Sequence, residues 1–203
     1  MCFNGDMENN LVDKKIKGIT FAGRLGSGKS STADALAEKL GYSRMSTGRL
    51  QRELSEKEGL SFKEYSEIQK TNPNFDYEVD QKLKDFIAEN KDFVLDSRLA
   101  HIFEPRLFKV FLEVDTLVAA ERMFADMQSN PERATEKVAS VEELIENNAH
   151  RLVSEQQRYK NLYDIDNHMN PEDFDVVINT GDYFLEQVVE LIYVAYQDWL
   201  AKE

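Results

Sequence analysis

Cysteine is nearly absent from this chain: Cys2 is the only one among 203 residues. A disulfide within the chain is therefore impossible, which favours a reducing compartment. No apolar run approaches the roughly 18 residues of a membrane span, and the N-terminal stretch carries no signal-peptide hydrophobic region. Asn-X-Ser/Thr sequons are lacking too. A cytoplasmic protein is expected. Positive charge is scarce: 25 Lys and Arg face 38 Asp and Glu, for a formal net charge of −13. A nucleic acid or an anionic membrane would be repelled over most of such a surface, so neither is expected as a partner. A phosphorylated small molecule remains allowed, because it needs only a local basic cleft. The histidines His101, His150 and His168 are scattered without zinc-ligand spacing and are read as surface or packing residues. No Gly/Pro/Ser-rich run and no internal repeat divides the chain. One domain over residues 14–203 is expected behind a polar tail at 1–13, as a monomer or weak homodimer.

What is present is an alternation of short β-rich runs with amphipathic stretches. Ile16 to Ala22, ending at Gly23, reads as the first strand. Ala33, Leu36, Ala37 and Leu40 then recur at helical spacing over Lys29 to Leu40, with Gly41 at the C-cap position. Tyr42 to Met45 is a short second strand. Two or three polar helices follow between Arg49 and Glu89, broken at Gly59 and Pro73. Phe93 to Leu95, ending at Asp96, and Phe108 to Val114 read as buried strands. Thr116 is expected to cap a helix that turns Leu117, Ala120, Phe124 and Met127 inward. Val141 to Tyr163 is a long charged helix, and Phe174 to Ile178 a last strand. Phe184 to Trp199 closes the chain as a helix with Val188, Leu191, Ile192 and Ala195 inward. Tyr159, Tyr163 and Phe184 are read as packing aromatics, and Trp199 as a core anchor. Strands alternating with helices imply an α/β fold with a parallel sheet covered on both faces, its site at the carboxyl ends of the strands.

Gly23-Arg24-Leu25-Gly26-Ser27-Gly28-Lys29-Ser30 matches G-x-x-x-x-G-K-[ST] between the first strand and the first helix. Gly23, Gly26 and Gly28 let backbone N–H groups, including those of Ser27 and Ser31, converge on phosphate oxygens. The helix behind them adds its positive dipole end. Lys29 is placed to reach the β- and γ-phosphates of ATP, and the Ser30 hydroxyl to ligate Mg²⁺. Two absences argue against a GTP-binding switch. Asn90-Lys91-Asp92-Phe93 has phenylalanine where N-K-x-D needs aspartate, and Asp96 is followed by Ser97, Arg98 and Leu99, not by D-x-x-G.

Four further stretches carry a resemblance. They are Ser46-Thr47-Gly48-Arg49-Leu50-Gln51-Arg52, Leu95-Asp96-Ser97-Arg98-Leu99-Ala100, the strand Phe108 to Val114 with the later Glu121-Arg122, and Arg151 through Glu155 and Arg158-Tyr159 to Tyr163. In this order and spacing the chain, from about Ile16 to Ile192, resembles the cytidylate kinase family in its short archaeal-type branch. The resemblance implies a three-layer P-loop fold with a five-stranded parallel sheet in the order 2-3-1-4-5. It also implies a mobile acceptor-binding segment near 47–90 and a lid near 126–163. Its substrates would be Mg-ATP and a nucleoside monophosphate, CMP or dCMP, with UMP open. Two departures stand out: Asp126 occupies a position often held by arginine, and Ser97 replaces a glycine beside Arg98, where its side chain would narrow the acceptor cleft. The polar stretch 130–140 is long, and Arg133 within it is a candidate to compensate for Asp126.

The residues make chemical sense on their own terms. A monophosphate acceptor carries about two negative charges, so guanidinium forks should converge on it. Arg52 and Arg98 follow strand ends and are placed for that, with Thr47 beside Arg52's segment; a plain surface role is the alternative for each. Asp96 ends an apolar strand, where an unpaired charge is costly. It is a ligand for Mg²⁺ or its water shell, an orienter of an acceptor arginine, or an ion-pair partner of Arg98. Arg151, Glu155 and Arg158 share one helix face at i, i+4 and i+7. The two arginines there are candidates to stabilise the transferring phosphoryl group, and the resemblance puts Glu155 near the acceptor's sugar or base. A solvated face laced with i,i+4 pairs is the alternative. Arg122 is assigned to adenine stacking or phosphate contact. Besides CMP kinase, two readings stay open: a P-loop kinase with another small acceptor, and an ATP-binding regulatory module without turnover.

Overall fold

The computed structural model describes residues 16–129 and 138–202. The polar tail at 1–13 with Cys2, and Arg133 within the polar stretch, lie outside the described residues.

Six consecutive buried residues make β1 (Gly18–Gly23) the middle of the sheet. A strand covered on both faces needs apolar or small residues at every position, not at alternate ones. Gly18 shows how tight the covering is: a Cβ there would lie 2.5 Å from the Phe93 ring and 2.6 Å from Leu107. β2 (Ser43–Ser46), β3 (Phe93–Asp96), β4 (Phe108–Glu113) and β5 (Val176–Asn179) complete a parallel sheet in the order β2-β3-β1-β4-β5. The expected strand order is thus observed. The register aligns Phe21 with Asp96 and with Val110, and Ser46 with Asp96. Three strand ends therefore meet at Asp96 and the phosphate-loop motif.

The helices are α1 (Lys29–Leu40), α2 (Thr47–Lys57), α3 (Phe62–Gln69), α4 (Asn74–Glu89), α5 (Ala100–Phe103), α6 (Thr116–Ser129), α7 (Val141–Tyr163) and α8 (Leu185–Ala201). Single 3₁₀ turns at Pro171–Asp173 and Thr180–Asp182 flank β5. Side-chain alternation along the strands splits the core into two layers. On one face Ile19, Phe21, Val94 and Val110 pack with Leu36 of α1 and Ile192 of α8. On the other, Phe93 and Leu95 meet Leu83 of α4 and Ala100 of α5. Two smaller apolar clusters stand beside this core. Leu54, Tyr65 and Val79 tie α2, α3 and α4 together. Ala120, Met127 and Leu144 tie α6 to α7.

Several boundaries depart from the sequence expectation for local reasons. β1 begins at Gly18, not Ile16. β5 begins at Val176, because the 3₁₀ turn precedes it and Phe174 packs on Phe111 at 4.9 Å instead of entering the ladder. Asp115, not Thr116, caps α6: its Oδ1 accepts from the N–H of Leu117 at 2.8 Å and of Val118 at 3.4 Å. Leu117, Leu191 and Phe184 are exposed, Phe184 at 79%. Val189 and Tyr196 of α8 take the buried positions instead. Trp199 packs on Phe108 with ring centroids 5.6 Å apart, as expected of an anchor.

Candidate active site

The turn after β1 is forced tight by its neighbour β4. Gly23 has φ 135°, and a Cβ there would fall 2.1 Å from the Leu112 carbonyl oxygen, so only glycine fits. The Arg24 N–H donates to that same carbonyl at 3.1 Å. Ser27 closes the loop internally, its hydroxyl donating to the Arg24 carbonyl at 2.8 Å. Gly26 and Gly28 also have positive φ, and Gly28 is the N-cap of α1. No acidic residue sits in the first turn of α1, so the positive end of its dipole is not neutralised. Ser31 is exposed in that turn.

Lys29 folds back over the loop. Its ammonium donates to the Gly23 carbonyl at 3.0 Å and to that of Arg24. Burial pushes its pKa down to about 8; Asp96 and Glu155 oppose that shift, and Arg98 and Arg151 add to it. Those four groups, drawn from β3, the turn after it and α7, thus act electrostatically on one ammonium.

Asp96 is held from three sides. Its Oδ2 accepts from the Ser30 hydroxyl at 2.6 Å and the Ser46 hydroxyl at 3.3 Å. Its backbone carbonyl accepts from Thr47 Oγ1 at 3.2 Å. Its ion-pair partner is Arg44, at 3.6 Å, and not Arg98. Arg44 was missed in the sequence; its Nε also donates to Asp34 at 3.0 Å, and burial lowers its pKa against the pull of both carboxylates. Among the described residues no group of three or more His, Cys, Asp or Glu side chains could hold a metal. Ser30 and Asp96 do fit Mg²⁺, which characteristically takes one or two protein oxygens and completes its shell from phosphates and water.

The basic wall is built on one carboxylate. Glu155 Oε1 takes Arg98 at 3.0 Å and Arg151 at 2.9 Å. Burial pushes the Glu155 carboxyl up, but Arg98 and Arg151 outweigh it and hold the group below the usual glutamate range. Burial likewise disfavours the Arg98 charge, and Glu155 overcomes it, so the Arg98 pKa is raised. Of the expected face, Arg151 and Glu155 form the i,i+4 pair with Arg151 still 36% exposed, while Glu155 and Arg158 are turned inward and do not share one cluster. Arg158, 9% exposed, pairs with Asp76 of α4 at 3.3 Å. Arg52 lies with its guanidinium 5.1 Å from the Phe62 ring, which also carries Arg151 at 5.6 Å. Arg122 stands apart from this group, donating to Thr180 Oγ1 at 3.3 Å and to its carbonyl at 3.1 Å near the carboxyl end of β5. Ser97 is buried with its N–H on the Phe21 carbonyl, and it is not on the cleft wall, so it does not narrow the cleft as expected.

Two adjoining cavities result. One, of about 190 Å³, is lined by Gly23, Arg24 and Leu25 of the phosphate loop together with Thr116, Leu152 and Met169. The other, of about 510 Å³, lies between α3, which contributes Phe62, Ser66 and Gln69, and α7, which contributes Arg151 and Arg158. Arg98 and Glu155 line both. Phe62, Gln69 and Asp76 join Arg44 as site residues that sequence reasoning missed. None of them belongs to a motif, and their only trace in the sequence is a polar or aromatic side chain on α3, α4 or β2.

The model of the cytidylate kinase-like family matches residues 18–182. The cytidylate kinase of Thermoplasma volcanium is 31% identical, covering 91% of this chain and 94% of that protein. Those of Archaeoglobus fulgidus (31% identity, 87% of this chain and 93% of that protein) and Methanobrevibacter smithii (30% identity, 86% and 95%) are similarly related. Among solved structures, a shikimate kinase from Bacteroides thetaiotaomicron superposes with a TM-score of 0.58 at 16% identity, covering 92% of this chain and 99% of that one. A gluconokinase from Sinorhizobium meliloti gives 0.56 at 18% identity, covering 92% and 95%. At such identities these two establish the fold alone.

Proposed function

The chain belongs to the cytidylate kinase-like family, and from that premise we propose that it is a nucleoside monophosphate kinase that transfers the γ-phosphoryl group of Mg-ATP to CMP or dCMP. The observation that carries this reading is the shared wall: Arg98 and Glu155 line both the cavity over the phosphate loop and the larger cavity beside it. A donor triphosphate on one side and an acceptor phosphate on the other would meet at the same guanidinium.

The chemistry is an in-line displacement. An acceptor phosphate oxygen forms a bond to the γ-phosphorus while the bond to the β,γ-bridging oxygen breaks and ADP leaves. The acceptor is already an anion and a competent nucleophile, so no general base is needed. Lys29 and the first-turn N–H groups of α1 hold the β- and γ-phosphates. Arg98, Arg151 and Arg158 stabilise the charge that spreads over the transferring group. Ser30 and Asp96 would hold Mg²⁺, which when bound neutralises phosphate charge. Arg52 and Thr47 serve the acceptor side, and Arg122 the side of the donor nucleotide. The segments near 47–90 and 126–163 close over the substrates and exclude water, a competing acceptor. Their separate apolar clusters, outside the sheet's own core, support such movement.

The test is initial-rate assay of ADP release with Mg-ATP and a panel of CMP, dCMP, UMP, AMP, GMP, shikimate and gluconate. CMP or dCMP is expected to give the highest kcat/KM. Turnover confined to a non-nucleotide acceptor would overturn the acceptor assignment. ATP binding without ADP release for any acceptor would leave a non-catalytic nucleotide-binding module.

A further inference from the structure

The wall of the larger cavity holds a carboxamide that faces a buried carboxylate. Gln69, in the last turn of α3, is 3% exposed and lies on the cavity wall. Its Nε2 faces Asp76 Oδ1 at 3.5 Å, and Asp76 in turn faces Arg158 at 3.3 Å. Which end of an amide carries the nitrogen follows from its partners. An ionised carboxylate only accepts, so the Gln69 nitrogen must turn to it and the Gln69 oxygen away from it. Burial raises the Asp76 carboxyl to about 6, with Asp80 and Glu155 adding to the shift, while the Arg158 guanidinium at 3.3 Å opposes it and favours the ionised form.

We propose that Gln69 selects the acceptor's base by accepting a hydrogen bond from an exocyclic amino group, and that Asp76 is the positioning residue that keeps the Gln69 carbonyl oxygen facing the cavity. This rests on the nucleoside monophosphate kinase reading and deepens it. Cytosine presents an amino donor at position 4, where uracil presents a carbonyl oxygen. Against a fixed acceptor, cytosine gains a hydrogen bond, while uracil sets two oxygens against each other with neither able to donate. A freely rotating glutamine would serve both bases equally. The discrimination therefore lives in the Gln69–Asp76 pair and not in the glutamine alone.

The test compares kcat/KM for CMP and UMP in the wild type, Gln69→Met and Asp76→Asn, with ATP binding and thermal unfolding as controls of folding. The wild type should prefer CMP. Gln69→Met should lose roughly tenfold or more of that preference, the scale of one buried hydrogen bond. Asp76→Asn should also narrow it, because an asparagine donates as readily as it accepts. A third arm needs no variant: with wild-type protein, the CMP analogue bearing hydrogen in place of the 4-amino group should turn over roughly tenfold less efficiently than CMP. An unchanged CMP:UMP ratio in folded Gln69→Met, or equal turnover of the analogue, overturns the base contact and leaves the kinase reading standing. Failure of the wild type to phosphorylate any monophosphate removes the kinase reading and the base contact with it.

Discussion

The Ser30 hydroxyl donates to the Asp96 carboxylate across 2.6 Å, joining residues 66 apart in the chain. One belongs to the helix that opens at the phosphate loop, the other to the end of β3. The parallel pairing of β1 with β3 makes the contact unavoidable, since Phe21 is in register with Asp96 and the loop begins two residues later. Asp96→Asn keeps the volume and the two serine contacts but removes the anion. It should lower kcat/KM roughly a hundredfold, about 2.7 kcal/mol of transition-state stabilisation. Its Mg²⁺ requirement should move to higher concentration, with ATP binding in the absence of Mg²⁺ unchanged. Magnesium titrations of the rate, alongside calorimetric binding, check both. An unchanged Mg²⁺ dependence would remove Asp96 from the metal site.

Glu155 holds two guanidinium groups that otherwise face each other in a half-buried cleft. Glu155→Gln should destabilise the protein by about 2–4 kcal/mol, because it leaves two cations without their shared anion. CMP should then recover more stability in the variant than in the wild type, its phosphate replacing the lost carboxylate. The paired melting curves, with and without CMP, measure the difference. The pH dependence follows in sign. The folded Glu155 carboxyl lies below its unfolded value, so its stabilisation is complete above the unfolded value and is lost as pH falls through the folded one.

Much of this arrangement was legible in the sequence, and the limit lies where contacts cross the chain. The α1 boundaries were readable because Gly28 and Gly41 both sit in left-handed backbone and mark its two ends. The full length of α7 was readable from its spacing, Val141 to Tyr163. The phosphate-loop motif and the shared helix face of Arg151 and Glu155 were readable because residue spacing fixes them locally. What α7 touches was not readable. Arg158 finds Asp76 and Arg98 finds Glu155 only once the sheet stacks α4, the β3 turn and α7 together. Arg44 belongs to no motif, and its place follows only from the contacts with Asp34 and Asp96 that the fold creates. Apolar periodicity also overreached: Leu117 and Leu191 fit the pattern of an inward face and Phe184 was expected to pack, yet all three are exposed.

His101 and His168 are buried, stacked against Phe174 at 4.5 Å and edge-on to Tyr159 at 4.9 Å. Burial pushes both down to about 4. The neighbouring His168 and Lys109 add to the effect on His101; Arg98 and Arg158 add to it on His168, where Glu155 opposes. Between the unfolded value of 6.5 and about 4, the unfolded chain binds protons that the native one refuses. Stability should therefore fall steadily as pH drops through that window. His101→Phe should flatten the slope by up to about one proton in urea denaturation at pH 7, 5.5 and 4.5. A slope unchanged by the substitution would show that His101 protonates in the native state.

The Lys29 ammonium sits at the other end of the pH scale. Burial holds it at about 8, with Asp96 as the chief opposing influence. Triphosphate oxygens placed beside it raise its pKa, because a nearby anion favours the charged form. Nucleotide binding must then take up a fraction of a proton when the solution is near pH 8, and much less at pH 6.5, where Lys29 is already charged. Two measurements follow. The calorimetric enthalpy of ATP binding at pH 8 should depend on the ionisation enthalpy of the buffer, with the sign of proton uptake, and ATP affinity should weaken as pH rises beyond 8. Lys29→Met should abolish the uptake and cost about 1.5–3 kcal/mol of ATP affinity, the range of a lost hydrogen bond to a charged group, while CMP binding persists. If proton uptake survives in Lys29→Met, the titrating group is elsewhere; if the variant binds and consumes ATP like the wild type, the phosphate loop is not where the donor sits.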